Sequence, residues 1–208
     1  MTPEERAWWR RLPLVLVRPR GVFAALRSDD DADLAARQEP ILLVILLAGM
    51  GAVLLTPAWQ HLRDDDFSME GIVIAVLTFI GGGLYGAAGY FLLGGALYIG
   101  ARAMGSEAPF RASRHVLAFA AVPVALSLFV VAPVIAVAFG RDWFLGGGPG
   151  GTGPDVVVAL GLAFVAWTLC LLVVGLRETL RLPWRGVVGA LLLGGVLVAA
   201  VAVLPSAL

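Results

Sequence analysis

Residues 94–123 read GGALYIGARAMGSEAPFRASRHVLAFAAVP, and this stretch decides the fold. One apolar run ends near Ala101, a short polar loop follows, and a second apolar run starts at His115 and soon meets Pro123. The loop carries Arg102, Arg111 and Arg114 around a Gly105-Ser106 turn and the aromatic Phe110. It is too short to be a domain. It therefore joins two helices that share one apolar surrounding.

Composition identifies that surrounding. Of 208 residues, 60% are hydrophobic and 14% charged, and the mean hydropathy is +0.90. A soluble surface needs far more charge, and apolar runs near 20 residues read as membrane spans. The expected fold class is all-α, a polytopic membrane helix bundle. Five spans are read, at about 41–58, 71–101, 115–139, 155–176 and 186–204, preceded by a cytoplasmic or interfacial helical segment over 1–40. Net charge is zero, which offers nothing to a nucleic-acid partner. The lone Cys170 excludes a disulfide within the chain and a cysteine metal site. Trp9-Arg10-Arg11 precedes an apolar stretch, Leu12 to Val17, shorter than the 7–15 residues of a signal core, so no cleaved signal is expected.

Local patterns refine this outline. Thr2-Pro3-Glu4-Glu5 suits a helix start. The Trp/Arg mixture after it fits either a membrane interface or an ordinary helix packed on the rest. Pro19 opens a short helix with Val22, Phe23 and Leu26 on one face. The contiguous acids at 29–33 suit a solvated helix start better than a calcium loop. His61 beside Asp64-Asp65-Asp66 lacks a second histidine for a metal site. Ala48, Ala52 and Thr56, and again Gly186, Ala190 and Gly194, recur every four residues as close-packing faces. The second run is longer than a bilayer core, and Gly81-Gly82-Gly83 is where it is expected to bend. Gly82, Gly86 and Gly94 share a stripe with Tyr90 and Tyr98, which either line a polar path or fill gaps. Pro123 and Pro133 each free a carbonyl four residues back, at Phe119 and Phe129, and Ser127 is an expected partner for one. Residues 146–154 read as a flexible connection, since no lysine or strand supports a phosphate loop.

The arginines assign sides. Seven precede the first span, three lie in the 102–114 loop and three in the 177–185 loop, whereas Arg63 and Arg141 stand alone in the intervening connections. The partition is thirteen against two. The positive-inside rule then puts the N-terminus in the cytoplasm and the C-terminus outside the plasma membrane.

Three groups of residues resemble the Yip family, small membrane proteins named for interaction with Ypt/Rab GTPases. Pro19-x-x-x-Phe23 with the acidic segment after it resembles a short helix before the first span. Gly105-Ser106 through Phe110, then Val116 to Ala120 and Pro123, resemble the central loop and third span. Trp167 through Glu178 resembles the end of the fourth. The resemblance, to a bacterial-type member, implies five spans with a cytoplasmic N-terminus. Eukaryotic members bind Rab proteins and carry a longer cytoplasmic region with an acidic-aromatic motif that is not found here, so the Rab-binding role is not carried over.

Three classes of function follow. The first is a non-enzymatic scaffold or adaptor whose N-terminal helix and two arginine loops form one docking face. Gly105, Ser106, Phe110, Arg111 and Arg114 carry it, Pro19, Phe23 and Pro123 shape it, and Phe110 is its apolar anchor. Its expected partners are the bilayer and a membrane or cytoplasmic protein, or a second copy. The second is a passive transporter, channel or lipid-handling protein, since the expected spans hold no interior charge to mark an ion path. The third, a membrane enzyme, lacks a nucleophile–base pair or metal cluster, and no catalytic residue or cofactor is expected. In the first two classes the six loop arginines either bind a partner or only set topology and meet headgroups.

Reporter fusions at Leu208 and within residues 146–154 are expected to read as external. A cytoplasmic signal at either position rules this orientation out.

Overall fold

The computed structural model describes residues 8–27, 38–55, 71–138 and 153–203. The Thr2 cap, the acids at 29–33, the His61 connection, Thr56 and the loop at 146–152 lie outside these residues. Among the described residues every element is a helix. In order they are α1 (Trp8–Val17), α2 (Pro19–Ala25), α3 (Gln38–Leu55), α4 (Gly71–Ala103), α5 (Phe110–Ala120), α6 (Val122–Ala138), α7 (Gly153–Glu178) and α8 (Trp184–Val203). Among the described residues three stretches are long and apolar enough to cross a membrane: Phe79–Ala103, Phe110–Ile135 and Asp155–Glu178. Shorter apolar stretches occupy Ile41–Ala52 in α3 and Trp184–Leu197 in α8. Large side chains on their surfaces stand open, among them Leu84, Leu162 and Leu192. Apolar area of this extent is stable only against lipid or protein.

The third apolar run, Phe110–Ile135, is one span-length stretch in which regular α-helix lapses at Ala121, between α5 and α6. The lapse falls two residues before Pro123, which has no N–H to give the carbonyl four residues back. Pro133 lies inside α6. One expectation about the partners of the freed carbonyls is revised. Ser127 Oγ donates to the Val124 carbonyl at 2.6 Å within its own helix, so it serves neither Phe119 nor Phe129.

The chain forms two compact units. The first comprises Met1–Leu43, Ala88–Ala120 and Leu169–Leu208. In it α1 packs on α2 and α5, and Arg11 is buried along with Val15, Val22 and Phe23. The Trp/Arg segment is thus packed onto the bundle at Arg11. Gly175 lets α7 come close, since a Cβ there would lie 2.6 Å from Val116 and 2.9 Å from the Phe23 ring. At the α4–α8 contact, a Cβ on Gly100 would lie 2.6 Å from the Ala190 carbonyl, and one on Gly194 would meet Ala96 at 3.5 Å. The nearest neighbours of Gly186, the third of that expected face, are Leu182 and Pro183 of the preceding loop.

The second unit comprises Val44–Ala87 and Ala121–Thr168. Its α3–α4 contact is made by glycine on glycine, with the Gly49 Cα facing Gly82 and Gly86. Gly51 likewise approaches α6, where an added Cβ would stand 2.7 Å from the Val124 carbonyl. The glycine triplet is used for packing as well: α4 runs uninterrupted through it, with Gly82 against Met50. Val131 and Ile135 of α6 and Val157 and Phe164 of α7 form the unit's apolar core.

Substituting Gly49→Ala should force two backbones apart and cost about 1–3 kcal/mol, as overpacking does. Gly81→Ala, where a Cβ meets nothing within 4 Å, should leave stability unchanged. Thermal unfolding of both variants in mild detergent checks the pair, and equal melting temperatures count against glycine-mediated packing.

Candidate functional site

The first unit gathers a polar site from three segments distant in sequence. Its foundation is the end of α4. Gly105 takes a left-handed φ of +87, Ser106 N–H donates to the Ala101 carbonyl at 2.9 Å, and Gly105 N–H donates to that of Arg102 at 3.0 Å. These two bonds satisfy the orphan carbonyls of the last turn in a Schellman arrangement and turn the chain back sharply. The turn brings Ser106 against the loop after α7. There Ser106 Oγ donates to the Leu180 carbonyl at 3.2 Å while accepting from Ala108 N–H at 3.3 Å.

The α7–α8 loop is tied to α2 in the same manner. Thr179 Oγ1 donates to the Phe23 carbonyl at 2.9 Å, and Arg27 Nη1 donates to the Glu178 carbonyl at 3.3 Å. Ser106 and Thr179 are buried, so each bond closes off a hydroxyl that would otherwise be costly to hide. Arg181 beside them has φ +54, a left-handed backbone unusual for a residue with a Cβ. Between these walls lies a cleft of ≈ 470 Å³ lined by Arg27, Ser106, Glu107, Arg111, His115, Thr179 and Arg181, among others. Its charged lining is three arginines against one glutamate.

A second cluster sits between α4 and α5. The Arg114 guanidinium lies 4.6 Å from the Phe110 ring centroid and 5.2 Å from those of Tyr90 and Phe91. Tyr98 meets Phe110 edge-on at 5.6 Å, and Arg102 lies 5.9 Å from Tyr98. Gly94 makes the room, because a Cβ there would stand 2.7 Å from Arg114 Cγ. Arg114 Nε is buried and unbonded, so its charge is balanced largely by ring faces. Tyr90 is buried beside that cation. Arg177 stacks likewise on Trp184 at 4.3 Å.

The residues singled out from sequence therefore divide. Gly105, Ser106 and Arg111 belong to the cleft. Phe110 and Arg114 pair with each other on α5, although Phe110 keeps 36% of its surface exposed. Pro19 opens α2, and buried Phe23 supplies the carbonyl that anchors Thr179. Pro123 belongs to the second unit. Sequence reasoning missed Arg27, His115 and Thr179 as partners of the loop, and it placed Arg181 only on the same side. Thr179 carried a signal: a hydroxyl at a helix end has to find an acceptor.

With this geometry in view, comparison with known proteins gives one result. The family model for the Yip1 domain matches residues 14–204, and the chain belongs to the Yip family. No curated protein and no solved structure matches it. It is a membrane protein.

The two left-handed positions should answer oppositely to substitution. Gly105→Ala puts a Cβ into a left-handed backbone and should cost about 1–2 kcal/mol. Arg181→Gly relieves the same strain, and its melting temperature should equal or exceed that of the unaltered chain. Loss of folded protein with Arg181→Gly would contradict this account of the loop.

Proposed function

We infer that this Yip-family protein is a five-span, non-enzymatic adaptor of the plasma membrane that binds a partner protein through its cytoplasmic face. The observation that carries the reading is the set of bonds joining α2, the 104–109 loop and the 179–183 loop into one surface. A face assembled from three segments and rimmed by arginines has the make-up of an interaction site, in which a few aromatic or arginine anchors carry most of the energy.

The five-span topology has its own support. α3 has 18 residues and α8 has 20, or roughly 27 and 30 Å of helix at 1.5 Å per residue, which suffices for a bilayer core of about 30 Å. Every arginine among the described residues falls in the first unit, as expected if that unit holds the cytoplasmic ends. A second reading, a lipid-handling protein, is favoured by one observation, the cationic cleft itself.

The adaptor reading is tested with a photocrosslinker at Glu107 in intact cells. Phe110→Ala is expected to cut recovery of a discrete protein adduct by about tenfold or more, as loss of an interface anchor does. Arg111→Lys with Arg114→Lys keeps charge but removes the planar fork, and should also weaken it. If both variants insert normally and give the adduct at the level of the unaltered chain, the docking face does not exist.

A further inference from the structure

We propose that the cleft between the 104–109 loop, the 179–183 loop and the end of α2 is a binding site for a phosphate group, of the kind an anionic lipid headgroup presents. This goes beyond the adaptor reading but rests on its orientation, which puts the cleft at the cytoplasmic surface.

The walls are built before any ligand arrives. The hydroxyls of Ser106 and Thr179 both donate to main-chain carbonyls, of Leu180 and Phe23, so their protons hold the walls together. Recognition is left to guanidinium groups. Arg27, Arg111 and Arg181 reach the cleft from the end of α2, from α5 and from the α7–α8 loop. Each guanidinium has five N–H donors in a planar fork; Arg27 spends one on the Glu178 carbonyl, and Arg111 too has a contact of its own. Three forks around one volume suit the tetrahedral oxygens of phosphate better than a single planar carboxylate.

Two further features favour an anion. α5 begins on the cleft wall, where Ala112 N–H donates to the Pro109 carbonyl at 2.9 Å, so the positive end of that helix borders the cleft. Arg181 is held at the rim with φ +54 although glycine would suit that backbone better. Strain kept at one residue of a cleft is the pattern of a side chain retained for what it contacts. Glu107 opposes an anion, yet it is exposed and stands against three arginines. The volume, ≈ 470 Å³, accommodates a headgroup phosphate with its glycerol, and small-molecule sites run from about 300 to 1,000 Å³. Basic pockets at the cytoplasmic ends of membrane helices take such groups.

The test uses the full chain in a mild non-ionic detergent, following thermal unfolding during titration with dihexanoyl phosphatidic acid, dihexanoyl phosphatidylcholine or inorganic phosphate. Phosphatidic acid should raise the melting temperature saturably and phosphatidylcholine should not. Raised salt should weaken the effect. A response to phosphatidic acid alone identifies a lipid headgroup. An equal response to inorganic phosphate identifies a soluble phosphate at the same site. Arg181→Gly, which the backbone favours, and Arg111→Ala should each raise the apparent Kd at least tenfold, while Arg18→Ala, an exposed arginine outside the cleft lining, should not. The proposal is overturned if phosphatidylcholine matches phosphatidic acid, if no probe shifts the transition, or if Arg181→Gly titrates like the unaltered chain. Topology reporters read separately: an external 102–114 loop defeats the orientation, whereas the titration still judges the cleft.

Discussion

Between helices in a bilayer, apolar surface gains little from burial, because lipid tails are as apolar as leucine. Association then depends on how closely backbones approach and on which polar groups bond across the gap. This chain uses each device where its chemistry permits. In the second unit Gly49 meets Gly82 and Gly86, and Gly51 meets the Val124 carbonyl. In the first unit glycines at 100 and 175 do the same, and buried hydroxyl bonds from Ser106 and Thr179 are added. Those hydroxyls sit in the loop and at the helix end, where arginines also gather.

The arginines follow from the same constraint. A guanidinium in the hydrocarbon costs several kcal/mol, so charge collects at helix ends unless something substitutes for water. Arg114 shows the substitution. One turn after Phe110 and beside α4, it is surrounded by the faces of Phe110, Tyr90 and Phe91. Aromatic rings carry a negative face and a positive edge on an apolar body, which lets one residue serve the cation and the lipid together. Phe110 is then half of an internal pair as well as a half-exposed ring. Any partner that uses it must dock beside a cation already engaged.

Much of the architecture was legible in the sequence, for identifiable reasons. Helix positions follow from run length and the arginine-rich breaks. Val22, Phe23 and Leu26 are buried as their spacing implies. The turn after α4 was legible because only glycine sits easily at φ +87. Two kinds of information were not. A repeat of small residues every four positions marks a helix that can pack closely, but it does not say which partner residue touches, and only the fold shows that Gly49 meets Gly82 and Gly86. Nor does a proline tell how far it disturbs the helix around it: near Pro123 regular α-helix lapses at Ala121 alone. The cleft was half legible: its loop stood out, but Arg27 and Thr179 reach it only through tertiary folding.

The bonding of the cleft's hydroxyls also bears on the class of function. A serine or threonine acts as a nucleophile when a neighbouring base accepts its proton in the transition state. Ser106 directs its proton to the Leu180 carbonyl and Thr179 to that of Phe23. A main-chain carbonyl is far too weak a base for that task, and each of these also fixes a wall of the cleft. Releasing either hydroxyl for chemistry would loosen the junction that forms the site. The same commitment favours binding: walls fixed in advance let arginines meet an anion without first ordering two loops, which reduces the entropy lost on association. Adaptor and lipid-handling readings share that property. They differ in whether the occupant is the small anion within the cleft or a larger surface laid across its rim.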